Sequence, residues 1–337
     1  MPVIRPPRLR PGDLIGVVSP SSPVAHFVPR RLKRGLAELE RLGFRVRLGR
    51  HATEKRGHTA GTIADRVADL HEMFADPEVK GIITTIGGHS SHQLLDELDF
   101  DLIAANPKVF MGYSDITALH LGIHARTGLV TFLGPAVLPQ FGEAGGLMPY
   151  VRQAFQRAVC TASPTGDLEP SPVVVAETLK WDVEDDRPRR TTANPGPRAL
   201  RRGLARGRIV AGNLGTMLLL AGTPYWPDLR GAILCVEDDE TETPASVDRY
   251  FTQLRQMGVY DLIAGLVVGR FPPSVGFSAE DSLEEILLTA TRGYTFPIGI
   301  DFDFGHWDPI FVLPNGVQAE LAVGETARLA ILEPAVV

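Results

Sequence analysis

Ser114 stands where the apolar run "KVFMGY" (108–113) gives way to the helical pattern "DITALHLGIHARTG" (115–128). A serine at such a corner has two uses. It can accept the free N–H groups of the helix start as an N-cap. It can also act as a nucleophile, because α/β folds expose reactive groups where a strand ends and a helix opens. Gly112 supplies the first glycine of a G-x-S-x-G elbow, but Ile116 replaces the second. The backbone N–H of Asp115 then points along the helix N-terminus, a favourable place for negative charge.

A serine nucleophile needs a base, and the base needs an acid to orient it. Among the 9 histidines, His306 lies on a loop in "GIDFDFGHWDPIFVLPNG" (299–316), with aspartates on either side. It can be a base, or an idle exposed ring. Glu237 directly follows the apolar run 232–236 and so sits at a strand's carboxyl end, held more rigidly than the acids after it. Asp238, Asp239, Glu240 and Glu242 read as a solvated turn. Gly87 and Gly88 end the apolar run "GIITTIGG"; they serve a tight turn, or bring backbone N–H groups to a developing oxyanion.

Other chemistries fit less well. His120 and His124 share a helix face at metal-ligand spacing, but no H-E-x-x-H pattern or third ligand accompanies them. "GIITTIGGHSS" and "VAGNLGT" spell neither G-x-G-x-x-G nor a Walker A loop, which disfavours a dinucleotide oxidoreductase. The stretch "RALRRGLARGR" carries Arg198, Arg201, Arg202, Arg206 and Arg208, with Trp181 upstream. It is a solvated face, or a flap offering guanidinium forks to a carboxylate or phosphate.

These residues need a scaffold, and the first 140 positions alternate strand and helix signals. Strands are expected over 13–20, 45–49, 81–88, 108–113 and 129–135, and helices over 28–44, 62–79, 91–98 and 115–128. Apolar runs separated by amphipathic helices predict a doubly wound parallel sheet. The expected organisation is an N-terminal α/β domain (1–140), a linker and active-site flap (141–205), and a mixed α/β domain (206–337) ending in a hairpin.

Composition narrows the class further. The chain has 337 residues, 44% hydrophobic, and a formal charge of -6, without the basic excess expected of a nucleic-acid binder. No window approaches a membrane span, and "LIGVVSP" is too short for a signal-peptide core, so a cytoplasmic location is expected. Cys160 and Cys235 form no C-x-x-C pair and read as free thiols.

In this order, "IGGHSSHQLLDELDF", "PKVFMGYSDITALH", "GRIVAGNLGTMLLLAGTP", "ILCVEDDE" with "VDRYFTQL", and "FGHWDPIFVLPNG" resemble the LD-carboxypeptidase family of serine peptidases. The resemblance covers nearly the whole chain. It implies a Ser114–Glu237–His306 triad, an oxyanion hole of Gly87, Gly88 and Asp115 amides, a homodimer, and neither metal nor other cofactor. Within the family, "TIGGHSSHQLL" and the long segment around Trp181 are similar to the microcin C immunity branch. That branch cleaves aminoacyl groups from nucleotide-like phosphoramidates or sulfamates, and its loop tryptophan stacks on the base. The other branch removes a terminal D-alanine from L,D-muropeptides. The sequence departs from the first where Pro197 and Arg198 replace a second loop tryptophan, and where His89 replaces an amide or acid.

The expected substrate is therefore a small peptide or an aminoacyl-nucleotide, with Trp181, Arg201 and Arg202 as binding residues. A non-catalytic binder would instead keep Ser114, Glu237 and His306 far apart.

Overall fold

A computed structural model describes residues 2–337. The N-terminal strands are β1 (Leu14–Val18), β2 (Arg45–Leu48), β3 (Val79–Thr84), β4 (Val109–Gly112) and β5 (Phe132–Leu133). They form one parallel sheet in the order β2-β1-β3-β4-β5. β1 and β4 are buried along their whole length, as strands covered on both faces must be. Helices α1 (Val24–Phe27), α2 (Pro29–Arg41), α3 (Ile63–Ala75), α4 (Phe100–Ala105) and α5 (Thr117–Thr127) lie between them. α3 opens with a Thr62–Asp65 capping box and stops at Asp76, ahead of Pro77. The helix expected over 91–98 is a 3₁₀ turn, Ser91–Glu97.

The 141–205 stretch, expected as linker and flap, is more ordered than its composition suggests. It holds α6 (Pro149–Val159), β6 (Gly166–Asp167), the β7 (Val173–Val175)–β8 (Thr191–Ala193) hairpin, and β9 (Arg198–Arg201). Only 176–190, between β7 and β8, has the character of a flap.

The second sheet comprises β10 (Gly203–Asn213), β11 (Ile233–Glu237), β12 (Gly265–Gly269), β13 (Ile298–Phe302), β15 (Gln318–Val323) and β16 (Ala327–Ile331), with β6 and β9 at its edges. β10 to β13 run parallel, while β15–β16 is the antiparallel C-terminal hairpin. Helices α7 (Leu214–Leu218), α8 (Pro244–Gln256) and α9 (Leu283–Ala290) accompany the parallel strands.

Two features set the sheets' carboxyl ends against each other. β14 (Leu313–Pro314) crosses over to pair with β5, completing a six-stranded first sheet. The start of α5 meets the end of β10: Thr117 Oγ1 accepts the Asn213 N–H at 2.8 Å, and Gly212 has no space for a Cβ against the Thr117 side chain. The chain following Ser114 is thereby fixed beside the strand that neighbours Glu237.

Candidate active site

Ser114 opens the 3₁₀ turn Ser114–Ile116 with φ +64°, a left-handed conformation that a non-glycine residue holds only under constraint from its surroundings. No side chain caps this turn or α5, so the N-cap use of the serine is not realised. The constraint is visible on both sides. A Cβ on Gly112 would collide with Thr84 Oγ1, and one on Gly87 would stand 2.7 Å from Ser114 Cβ and 2.9 Å from its Oγ. Glycine at 87 therefore brings the turn after β3 directly over the serine.

That turn is tied down from below by Asp115. Its Oδ2 accepts the N–H groups of Ser90 (2.9 Å) and Ser91 (2.8 Å) and the hydroxyl of Ser21 (2.5 Å). Gly88 has φ +148°, and a Cβ there would meet Ser21 Oγ at 2.5 Å and Ser22 N at 2.8 Å. Among the described residues, no protein acceptor takes the N–H of Gly87, Gly88 or Asp115. A Cβ on Gly87 would also lie 3.0 Å from Asp115 N. Free amides thus converge beside a free hydroxyl, an arrangement suited to an oxyanion.

The other two candidate residues, Glu237 and His306, come from the second sheet and the loop after it. Glu237 ends β11 fully buried, and its Oε2 accepts from His306 Nδ1 at 2.6 Å. Burial works against charge on the imidazole, but Glu237 outweighs it, with Asp239 and Glu240 adding to the effect; His306 is pushed up to about 9. The His306 ring packs against Tyr113, the residue before Ser114, with centroids 5.0 Å apart. The Glu237–His306 pair thus stands beside the residue that precedes Ser114.

Sequence reasoning missed several neighbours. Asp238 is buried rather than solvated; Asn213 Nδ2 and Gly215 N donate to it at 2.7 and 2.9 Å. Burial and then the charge of Glu237 push its carboxyl up to about 7. Asp238, Asp239 and Glu242 present oxygens within 4.8 Å of one another, the one set among the described residues with donors grouped for a cation. Asn213 had a readable signal, a polar residue closing the apolar run in "IVAGNLGT". Gln140 and Asp308, which bond each other at 3.1 Å near Tyr113, had none.

Other expected residues lie elsewhere. Arg201 pairs with Thr291 and sits over the Phe296 ring at the start of β13, the end opposite His306; Arg202 is exposed beside it. A strand edge, not a flap, carries them, so neither is brought to Ser114. Arg198, Arg206 and Arg208 are likewise paired to Asp301, Glu320 and Asp228. Trp181 is half-buried with the Arg31 guanidinium 4.3 Å from its ring centroid. His120 and His124 each bond a backbone carbonyl at 2.9 Å, of Gly112 and Leu129. Burial lowers His120 to about 4, so it is a neutral core histidine. Cys160 and Cys235 are free thiols.

Comparison with known proteins gives the family. The family model of the LD-carboxypeptidase N-terminal domain matches residues 15–134, and that of the C-terminal domain matches residues 206–321. A probable murein peptide carboxypeptidase of Bacillus subtilis is 34% identical, over 98% of this chain and 95% of that protein. The microcin C7 self-immunity protein MccF of Escherichia coli is 33% identical, over 91% and 90%. The crystal structure of an MccF-like protein from Bacillus anthracis superimposes with a TM-score of 0.92 at 36% identity, covering 98% of this chain and all of that one (100%). MccF in complex with aspartyl sulfamoyl adenosine gives 0.91 at 31% identity, covering 99% and 100%. No helix among the described residues is long and apolar enough to cross a membrane. With both domains matched and relatives aligned almost end to end, the chain belongs to the LD-carboxypeptidase family and is a hydrolase of the serine carboxypeptidase type.

Proposed function

We propose that this chain hydrolyses the bond joining an aminoacyl group to a nucleotide-like phosphoramidate or sulfamate, through a metal-free Ser114–His306–Glu237 triad and an acyl-enzyme. One observation carries the reading: the 2.6 Å Glu237–His306 bond, on a ring packed against the residue that precedes a strained serine. His306 donates Nδ1–H to Glu237, which leaves Nε2 free to take the Ser114 proton. Ser114 Oγ attacks the carbonyl, and the oxyanion receives N–H groups from the Gly87–Gly88 turn and Asp115. His306 then protonates the leaving nitrogen, and water releases the acid. Trp181, with Arg31 on one face, has an indole suited to stack a base on the other. A cytoplasmic homodimer belongs to the same reading.

A second reading, release of terminal D-alanine from an L,D-muropeptide, is supported by the 34% identity to a probable murein peptide carboxypeptidase. The two separate by mass spectrometry after incubation with aspartyl sulfamoyl adenosine and, in parallel, an L,D-tetrapeptide. Release of aspartate from the first by wild type, and not by Ser114→Ala, is the expected result. Cleavage of the tetrapeptide alone favours the second reading. Equal turnover by wild type and Ser114→Ala removes the triad from both.

A further inference from the structure

The segment 176–190 leaves the β7–β8 hairpin and returns to it with little apolar anchorage. Asp185 is its one fully buried residue, and Trp181 is half-buried. Charge holds it instead. Asp182 accepts the N–H groups of Arg30 and Arg31 at 2.8 Å each, closing an α2 N-terminus that its own Val28 leaves uncapped. Asp185 pairs with Arg31 at 2.7 Å. Arg189 pairs with Glu143 at 2.9 Å and with Asp308 at 2.6 Å. Buried ion pairs add little net stability over apolar packing of the same volume, so their concentration here calls for another reason.

The Arg189 pair reaches the reacting groups. Asp308 shares the loop of His306; its Oδ2 accepts from Arg189, and its Oδ1 accepts from Gln140 Nε2 at 3.1 Å. Its carbonyl accepts from Val175 N at 3.0 Å, at the end of β7. Gln140 Nε2 also reaches the Tyr113 hydroxyl at 3.3 Å, and the Tyr113 ring lies against His306. The circuit Tyr113–Gln140–Asp308–His306–Tyr113, closed through the loop that Asp308 and His306 share, includes the base, and Arg189 alone enters it from the 176–190 segment.

We propose that Arg189 is a positioning residue: docked on Asp308, it fixes the His306 loop against Tyr113, so the imidazole is in register with Ser114 only while the 176–190 segment is down. The inference rests on the Ser114–His306–Glu237 reading and adds a condition to it. Segments with few buried apolar contacts open at lower free energy than the sheets that carry them. An arm held by ion pairs can therefore release for substrate exchange and return. A single guanidinium nitrogen, Arg189 Nη2, reaches both carboxylates, those of Glu143 and Asp308. Reacting groups must be held to within about half an ångström, so loss of one such tether is felt at the base.

The test is the reaction of Ser114 with an alkyl fluorophosphonate, a probe with no nucleotide or peptide for the segment to grip. The Oγ–P bond forms, the P–F bond breaks, fluoride leaves, and His306 takes the hydroxyl proton. Arg189→Met and Asp308→Asn are each expected to lower the maximal inactivation rate about 10²-fold, with the half-saturating probe concentration unchanged. Their double variant should be no slower than the slower single, because both cut one link. Arg189→Lys should recover part of the rate. Arg187→Met, which removes one of the two arginine partners of Glu177 in the same segment, should match wild type. Thermal melts accompany each rate, and the near-isosteric Asp308→Asn keeps the test decisive should Arg189→Met fold poorly. Labelling of Arg189→Met at the wild-type maximal rate, or losses that multiply in the double variant, overturns the coupling. If wild type is not labelled at Ser114, the triad itself falls and this inference with it.

Discussion

Oε2 of Glu237 lies 2.6 Å from Nδ1 of His306, and a Cβ on Gly305 would stand 2.5 Å from that same oxygen. Gly305 has φ +106°, a backbone region open to glycine and strained for any L side chain. Gly269 closes the opposite side, where a Cβ would meet Glu237 Cβ at 2.9 Å. Two glycines from different strand ends therefore shape the socket of a fully buried carboxylate, and one of them delivers the histidine backbone onto it.

Gly305→Ala is expected to disconnect acid from base. The added methyl group must push aside either the Glu237 carboxylate or the loop, and the strained φ costs about 1–3 kcal/mol as well. Turnover should fall at least about 10²-fold with a lower melting temperature. Wild-type turnover in this variant would mean that the pair is not needed in its observed geometry.

Gly87→Ala tests whether the Gly87–Gly88 turn serves the proposed oxyanion. Its methyl group would sit 2.9 Å from Ser114 Oγ and 3.0 Å from Asp115 N, where a substrate oxygen has to pass. The expected effect is a kcat loss of roughly 10²–10³-fold, the scale of a lost oxyanion donor. An active-site titration alongside steady-state kinetics checks it: unchanged kcat excludes the turn from catalysis.

The Asp115 carboxylate is expected to matter through the loop it holds. Asp115→Ala leaves the Ser91 N–H buried and unpaired, at about 1–3 kcal/mol, and the Ser90 N–H with only its 3.1 Å bond to Ser21 Oγ. Asp115→Asn keeps an acceptor oxygen there and should lose less. Chemical denaturation of both variants measures this, and equal stability of Asp115→Ala and wild type would contradict it.

The sequence was most readable where burial writes itself into composition. β1, β4, β11 and β12 are covered on all sides, so each is an apolar run whose last residue marks a ligand end, and Glu237 was found that way. Charge-rich stretches were not readable by the same logic. "RALRR" forms an antiparallel edge beside β13, and nothing local distinguishes an edge arginine from a flap arginine. The arginine that does approach His306, Arg189, meets Asp308 across 119 positions of sequence. Asp115 shows the remaining limit: adjacency to Ser114 suggests an orienting acid, while its carboxylate is spent on the Ser90–Ser91 turn.

The pH dependence should oppose rate to stability. A general base must be neutral, so with His306 pushed up to about 9 the value of kcat/KM should climb with pH and level off above that point. Stability runs the other way. The folded value lies above the ordinary 6.5, so the His306–Glu237 contribution is fully present below about pH 6.5 and is lost as pH rises through about 9. Glu237→Gln removes the charge that outweighs burial. Its kcat/KM limb should move down toward 6.5, its plateau should fall because the imidazolium is no longer stabilised, and the loss of melting temperature across that window should shrink. Profiles of kcat/KM and Tm over this range, for both proteins, decide the matter. A wild-type limb already near 6.5, or the same limb in both proteins, would show that Glu237 does not set the proton affinity of His306.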